Sequence, residues 1–224
     1  MKKILITGSS KGIGKAVANR FLAEGFEVYG LDLLESSIDN INYHHFICDI
    51  SKKESLPDIK DINYLFNNAG KQNSDDDISN NLKGTMNVTE KYAFNNQNIK
   101  SVLFNCSSSA HTGFEFTDYS VSKGAILTYM KNVAHRLARL GVTVNSISLG
   151  GVLTESNSPV VNDPKLWKEI MDVTPLKKWM SLEEVSDWVY FLLVVNKSMS
   201  GQDVLIDNGE KDLNCTFKWP EYKQ

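Results

Sequence analysis

The chain has 224 residues, a net charge of −3 and 42% hydrophobic residues, enough apolar material for one sizeable core. This content excludes an intrinsically disordered protein. The charge lacks the basic excess of nucleic-acid-binding proteins, so we expect no nucleic-acid partner.

The N-terminal segment begins directly with a short apolar run, Ile4 to Ile6, which is too short for a signal peptide or a membrane span. We therefore expect no membrane partner. The three cysteines stand far apart and form no C-x-x-C pair, which is typical of reduced thiols in the cytoplasm. His44 and His45 are neighbours on a predicted strand and should point to opposite faces, so we predict no metal site.

Strand-like and helix-like segments alternate along the chain, which predicts a single doubly wound α/β domain. We predict a seven-stranded, mainly parallel sheet with helices on both of its faces. The predicted strands cover residues 4–7, 26–31, 45–48, 62–66, 100–105, 142–148 and 203–207. The predicted helices cover residues 12–24, 82–97, 118–140, 163–172 and 181–195. The domain should span residues 1–209, with a substrate lid over about 151–180 and a C-terminal tail over 210–224 whose aromatic residues suggest that it docks.

A glycine-rich turn joins the first strand to the first helix. Gly8, Gly12 and Gly14 follow a G-x-x-x-G-x-G spacing there. Glycines at such a turn let the backbone approach a pyrophosphate, and the helix N-terminus adds free N–H groups and partial positive charge. The alternative is an ordinary glycine-rich turn between a strand and a helix.

Two charged residues bear on the choice of a dinucleotide. Asp32 ends the second predicted strand, where a carboxylate can accept hydrogen bonds from ribose hydroxyls and repel a 2′-phosphate. Lys11, in the glycine turn, could instead pair with that phosphate. We weigh Asp32 more heavily, so the sequence favours NAD(H), with NADP(H) as the alternative cofactor.

Tyr119 and Lys123 stand four residues apart in a predicted helix and should share one face. An ammonium beside a phenol favours the phenolate, so such a tyrosine can exchange a proton with an alcohol or a carbonyl. Taken alone, such a pair is more often an incidental feature of an exposed helix face.

Taken together and in order, these motifs resemble the short-chain dehydrogenase/reductase family, whose fold is Rossmann-like. The matching positions are Thr7-Gly-x-x-x-Gly12-Ile-Gly14, Asp32, Asp49, Asn67-Asn-Ala-Gly70, Asn81, Ser108, Tyr119-x-x-x-Lys123, Val144-Asn145, Gly150-x-x-x-Thr154 and Gly201 to Gly209. They span almost the whole chain. The resemblance implies an NAD(P)-dependent oxidoreductase that interconverts a secondary alcohol and a ketone.

The resemblance also implies residue roles. Tyr119 would be the general acid/base, Lys123 would bind the nicotinamide ribose and assist Tyr119, Ser108 would hold the substrate oxygen, and Asn81 would bind a water that relays protons to Lys123. The implied cofactor contacts are Gly8, Ser10, Lys11, Gly12, Ile13, Gly14, Asp32, Asp49, Ile50, Asn68, Ala69, Gly70, Tyr119, Lys123, Val152 and Thr154.

The chain departs from the family pattern between residues 49 and 81, where the connections are short. We expect the helix before Asn81 to be cropped, so that a loop positions Asn81. Ser107 and Ser109 flank Ser108, and His111 is a fallback polar contact, although a solvated loop histidine is the simpler expectation.

The substrate should be a small-molecule alcohol or ketone. An apolar lining over residues 151–180 suits an apolar or cyclic one, although we expect most of these apolar residues to pack a lid helix onto the sheet instead. A homodimer or homotetramer is expected, paired through the helix after Asn81 and the Tyr119 helix. Val88, Tyr92, Leu127 and Met130 are the candidate exposed apolar positions on those helices. The alternative function is a non-catalytic nucleotide-binding sensor or scaffold that retains the fold.

Overall fold

The computed structural model describes residues 1–94, 96–114 and 116–213. Seven parallel strands form one sheet in the order β3-β2-β1-β4-β5-β6-β7, with each neighbouring pair running parallel. Their bounds are β1 Lys3–Thr7, β2 Glu27–Asp32, β3 Tyr43–Ile47, β4 Tyr64–Asn67, β5 Ser101–Ser107, β6 Thr143–Leu149 and β7 Asp203–Ile206. The predicted doubly wound α/β sheet is confirmed.

Helices cover both faces of this sheet. The α-helices are α1 Gly12–Ala23, α2 Gly84–Tyr92, α3 Ser109–Thr112, α4 Thr117–Leu137, α5 Ser158–Val161, α6 Pro164–Val173 and α7 Leu182–Tyr190. On one face, α1 and α7 pack over a core that contains Phe21 and Val189; on the other, α2 and α4 pack over a core that contains Val88 and Met130.

Local signals set several of the helix ends. Gly25 and Gly141 follow the predicted helices with φ angles of 75° and 70°, a conformation that glycine adopts at little cost. At the start of α7, the Ser181 hydroxyl accepts the Glu184 N–H at 3.1 Å, and the Glu184 carboxylate accepts the Ser181 N–H at 2.9 Å. This reciprocal pair is a capping box. A π-helical turn, Phe191–Val195, then continues α7 to the predicted end.

The connection between β3 and β4 is as short as the sequence indicates. It contains one 3₁₀ turn, Lys53–Ser55, where a longer helix would need more chain. Two side chains of α2 hold this connection against the sheet: the Lys91 ammonium donates to the Leu56 carbonyl at 2.5 Å, and the Tyr92 hydroxyl donates to the Pro57 carbonyl at 2.7 Å.

The prediction that α2 and α4 carry exposed apolar residues at the four named positions is wrong. Val88, Tyr92 and Met130 are 0%, 2% and 0% exposed, because both helices use their apolar faces to cover the sheet. Leu127 is half-buried against the same core. The outward faces instead carry residues such as Met86 and Val121.

The predicted tail falls largely on residues 214–224, which lie outside the described residues. Among the residues that the structure does describe, no helix is both long enough and apolar enough to cross a membrane. Across the same residues, no three His, Cys, Asp or Glu side chains come together in a group that could hold a metal ion.

Candidate active site

The glycine turn lies at the carboxyl end of β1, as predicted. Gly8 and Gly12 have φ angles of +68° and +52°, which disfavour any other residue. A Cβ on Gly14 would lie 1.9 Å from the Gly8 carbonyl oxygen, so α1 can begin against the turn only with glycine at that position. A Cβ on Gly12 would have one atom from elsewhere in the described chain within 4 Å, Thr154 Cγ2 at 3.9 Å. The turn and the Thr154 loop therefore flank one cleft.

The segment after β4 is tied to this turn. The Thr7 hydroxyl oxygen accepts the N–H groups of Asn68 and Ala69, each at 2.9 Å. The Asn68 amide donates to the carbonyls of Thr7 and Gly8 at 3.0 and 3.2 Å. These bonds satisfy backbone groups at the switch between β1 and β4, where ligands of such sheets bind. Thr7 was not among the predicted site residues, although it stands in the motif.

Asp32 ends β2 and joins the glycine turn to the segment after the strand. Its carboxylate accepts the Ser10 N–H at 2.9 Å and the Leu34 N–H at 3.0 Å, one on each oxygen. Each oxygen keeps a second lone pair for a further donor. Lys11 is exposed beside the turn.

Asp49 and Ile50 follow β3, next to the end of β2. The Cys48 N–H donates to the Asp32 carbonyl at 2.8 Å, which places the two strand ends side by side. Hydrogen bonds from Ser51 hold the pKa of the Asp49 carboxyl below its usual value. The Asn87 amide of α2 donates to the Ile50 carbonyl at 3.0 Å.

The predicted pair on α4 is formed. Lys123 is 3% exposed, and its ammonium donates to the Asn105 carbonyl at 2.7 Å. The same ammonium lies 5.6 Å from the centre of the Tyr119 ring, within the range of a cation–π contact. Tyr119 itself is half-buried. A buried cation thus lies beside a phenol at the edge of the sheet.

Asn81 lies next to that cation. A Cβ on Gly70 would be 3.2 Å from Asn81 Oδ1 and 3.4 Å from Lys123 Nζ, so the three residues meet at one point. Asn81 is fully buried; its Oδ1 accepts the Lys71 N–H at 2.7 Å, and its amide donates to the Lys71 carbonyl and to the Ser122 hydroxyl at 2.8 and 3.0 Å.

A loop does not position Asn81, contrary to the expectation. Asn81 lies within a π-helical turn, Ile78–Lys83, that runs directly into α2. Ahead of it, the buried Asp77 carboxylate accepts the N–H groups of Asn73 and Ser74 at 2.9 and 3.0 Å and closes the short connection. A π turn is often found at functional sites, where it shifts the side chains of a helix. Where the sequence predicted a cropped helix followed by a loop at Asn81, the structure therefore has one wide π-helical turn.

Ser108 follows β5 directly and precedes α3. Its N–H donates to the Leu149 carbonyl of β6 at 2.9 Å, which fixes the backbone at the carboxyl edge of the sheet. Two residues earlier, burial raises the pKa of the Cys106 thiol to about 12, so this cysteine stays neutral and is not a candidate nucleophile.

His111 is more constrained than a solvated loop histidine. Its Nε2 lies 2.7 Å from an oxygen of the Asp203 carboxylate on β7 and 3.2 Å from the Ser148 hydroxyl. The other Asp203 oxygen accepts the hydroxyls of Ser146 and Ser148 at 2.5 and 3.0 Å. The sequence did not identify Asp203, because only the register of β6 and β7 brings it to the two serines.

We expect Asp203→Ala to destabilise the fold, because it leaves two serine hydroxyls and His111 without their shared acceptor. Loss of a buried acceptor costs about 1–3 kcal/mol. Urea unfolding should show this loss, with Asp212→Ala as the control because Asp212 is exposed and pairs with Lys211. A loss no larger than that of the control would contradict a structural role for Asp203.

The segment after β6 carries the remaining predicted contacts. Val152 is buried and bridges to Met180, while Thr154 begins the 3₁₀ turn Glu155–Asn157. A Cβ on Gly151 would lie 2.0 Å from Trp179 Nε1, so the indole packs directly against the backbone there. Trp167 of α6 meets Trp179 edge-on at 5.2 Å between ring centres. Through this contact, α6 packs over the beginning of the segment that follows β6.

The residues predicted for cofactor and proton chemistry therefore lie at the carboxyl ends of the strands, the usual ligand edge of an open α/β sheet. The family described as Enoyl-(Acyl carrier protein) reductase matches residues 8–211. Glucose 1-dehydrogenase of Gluconobacter oxydans (strain 621H) is 29% identical, over 93% of this chain and 91% of that protein. L-xylulose reductase of Caenorhabditis elegans is 28% identical, over 93% and 95%.

A solved structure agrees with these relatives. A short chain dehydrogenase family protein from Francisella tularensis subsp. tularensis SCHU S4 superimposes with a TM-score of 0.83 at 26% identity, and the match covers 94% of this chain and 98% of that one. The family match covers most of the chain, and the relatives and the solved structure agree with it. The chain therefore belongs to the short-chain dehydrogenase/reductase family of oxidoreductases.

Proposed function

We propose that this protein is an NAD(P)-dependent oxidoreductase that interconverts a secondary alcohol and a ketone. One observation carries the proposal: the buried Lys123 ammonium lies between the Asn105 carbonyl and the Tyr119 ring, beside the cleft of the glycine turn. A buried cation facing a phenol favours transfer of the phenolic proton.

The cleft fits a dinucleotide. Among the described residues, a Cβ at Gly12 would have only Thr154 Cγ2 within 4 Å, at 3.9 Å, and the backbone that lacks this Cβ leaves room for a phosphate to approach. The residues proposed to hold the cofactor are Gly8, Ser10, Lys11, Gly12, Ile13, Gly14, Asp32, Asp49, Ile50, Asn68, Ala69, Gly70, Tyr119, Lys123, Val152 and Thr154. Asp32 favours NAD(H). The nicotinamide would supply or accept the hydride when bound.

The chain's own groups would then handle the proton. In the reducing direction, the Tyr119 hydroxyl would donate its proton to the substrate oxygen as negative charge develops there. Ser108 would donate a hydrogen bond to the same oxygen. Lys123 would stabilise the phenolate that remains, and Asn81, which meets Lys123 next to Gly70, would support its reprotonation.

The substrate lid is proposed to be residues 151–180. Its aromatic pair, Trp167 and Trp179, gives an apolar wall that suits an apolar or cyclic alcohol or ketone. The named relatives act, by their names, on glucose and xylulose, so a panel of substrates should include sugars beside cyclic ketones.

NADH and NADPH oxidation with such a panel of carbonyl compounds tests the proposal. Turnover with at least one ketone, lost in the active-site variants, supports an oxidoreductase of this class. If cofactor binds and no carbonyl compound turns over, the sensor or scaffold function is favoured instead.

Assembly as a homo-oligomer remains part of the proposal, with the contact surface now placed on α7 and the π turn that follows it. Trp188 and Phe191 are 41% and 44% exposed, and they meet edge-on at 6.1 Å. The edge strand β7 has β6 as its one partner within the described sheet. Such an open edge is usually covered. A second copy of this chain would cover both features.

We expect light scattering to give a dimer or tetramer at micromolar concentration, with an interface above about 1,000 Å². Trp188→Glu should shift this species towards monomer by placing a charge in an apolar contact. Val121→Glu on α4 should leave it unchanged. The reverse pattern would place the interface on α2 and α4, as the sequence first indicated, and a wild-type monomer would refute assembly.

A cytoplasmic location is also proposed. Cys48 and Cys106 are both buried free thiols, as expected in a reducing compartment. Cys215 lies outside the described residues.

A further inference from the structure

His45 holds a position that the proposed chemistry does not use. It lies on β3 beside His44, and the two neighbours have different surroundings. His44 contacts the Glu27 carboxylate at 3.2 Å and the Tyr29 ring. His45 points to the opposite face, towards the glycine turn and the segment after β2.

The contacts of His45 show which ring nitrogen binds the Leu34 carbonyl. Nε2 lies 2.8 Å from the Leu34 carbonyl oxygen. A carbonyl oxygen can only accept, so Nε2 is the donor in this contact. The Tyr43 hydroxyl is 3.2 Å from Nδ1 and 3.0 Å from the Ser9 hydroxyl. The ring therefore connects the glycine turn, through Tyr43, with the Leu34 carbonyl.

Leu34 is the residue through which this contact reaches the proposed ribose site. Its carbonyl also accepts the Ser10 hydroxyl at 3.0 Å, and its N–H donates to the Asp32 carboxylate at 3.0 Å. The other Asp32 oxygen accepts the Ser10 N–H at 2.9 Å. The carboxylate, the glycine turn and the Leu34 backbone thus form a closed hydrogen-bonded ring, and His45 binds that ring from outside.

Gly30 provides the space for this arrangement. A Cβ there would lie 2.3 Å from the Tyr43 hydroxyl oxygen and 2.4 Å from the Ser9 hydroxyl oxygen. Any other residue would displace one of them. The middle of β2 is therefore shaped to let Tyr43 reach Ser9 while it also reaches His45.

We propose that His45 is a positioning residue for the adenosine half of the cofactor. It fixes the Leu34 carbonyl and, through Leu34, the distance between Asp32 and the glycine turn. A site held in its binding geometry loses less conformational freedom when the ligand arrives. The inference rests on the proposed function, since it assumes that a dinucleotide binds at this edge.

Three variants separate this role from a general effect on the fold. His45→Phe keeps the ring that stacks on Tyr43 but removes the donor to Leu34. His45→Gln restores an amide donor that can reach the same carbonyl. His44→Phe is the matched control on the opposite face of the strand. Dissociation constants for NADH and for ADP-ribose are measured for each, together with kcat at saturating NADH and with thermal unfolding.

Loss of one such hydrogen bond in His45→Phe is expected to raise the dissociation constants for NADH and ADP-ribose about three- to tenfold. The affinities for the two ligands should fall equally, and kcat should stay within about twofold of the wild-type value. His45→Gln should recover most of the affinity. If His45→Phe binds both ligands as tightly as His44→Phe does, the positioning role is overturned while the proposed function stands. If the wild type binds neither NADH nor NADPH, both are overturned.

Discussion

Tyr119→Phe is expected to lower turnover by about 10²–10⁴-fold, the usual cost of losing a general acid/base. The variant removes one oxygen and leaves the ring that faces Lys123 at 5.6 Å, so the packing of α4 should persist. The hydride step then lacks its proton partner, and negative charge on the substrate oxygen is no longer relieved. NADH affinity should barely change, because Lys123 and the glycine turn are untouched.

Single-turnover and steady-state rates with a responsive ketone measure this effect. Tyr129→Phe is the matched control, since Tyr129 lies on the same helix and its hydroxyl instead contacts Glu90 at 3.2 Å. Turnover in Tyr119→Phe close to that of Tyr129→Phe would show that another group, with Ser108 the first to examine, transfers the proton.

The fold could be predicted from the sequence because its signals are local. Uninterrupted apolar runs mark buried parallel strands, and Gly25 and Gly141 mark the ends of helices with the backbone conformation that they adopt. The juxtaposition of Tyr119 and Lys123, the proposed proton-transfer pair, could also be predicted, since the two residues are one helical turn apart. Spacing alone decides whether two such side chains share a face.

Contacts between distant strands could not be predicted. Asp203 meets His111 across a separation of 92 residues, and His45 meets Leu34 only after β2 and β3 pair. Both depend on register, which an unaligned sequence leaves open. The π turn around Asn81 was missed for a related reason: a short connection can be closed by a loop or by a wide helical turn, and the buried Asp77 selects the turn.

Apolar periodicity also does not tell what an apolar face packs against. Val88 and Met130 show the spacing of an amphipathic helix, and that spacing serves equally for a sheet or for a second subunit. These faces pack against the sheet. The exposed aromatic residues Trp188, on α7, and Phe191, in the π turn that follows, are therefore the better candidates for an assembly interface.

The preference for NAD(H) is expected to be set by Asp32 and opposed by Lys11. A 2′-phosphate about 4 Å from the carboxylate would be repelled by on the order of 4 kcal/mol per unit charge at an effective dielectric near 20. Solvent, salt and the exposed Lys11 reduce this repulsion. We therefore expect kcat/KM for NADH to exceed that for NADPH by about one to two orders of magnitude.

Two variants test this balance, and the ratio of kcat/KM for the two cofactors is the informative measurement. Asp32→Ser should bring the ratio towards one. It also removes the carboxylate that accepts the Ser10 and Leu34 N–H groups, so the affinities for both cofactors should fall together. Lys11→Ala should raise the ratio without that side effect. Lys15→Ala, one turn further along α1 and bonded to Ser37 at 2.6 Å, is the control that should leave it unchanged. If the wild type prefers NADPH and Lys11→Ala abolishes that preference, the lysine outweighs the carboxylate, because the phosphate then gains more from the cation than it loses to Asp32.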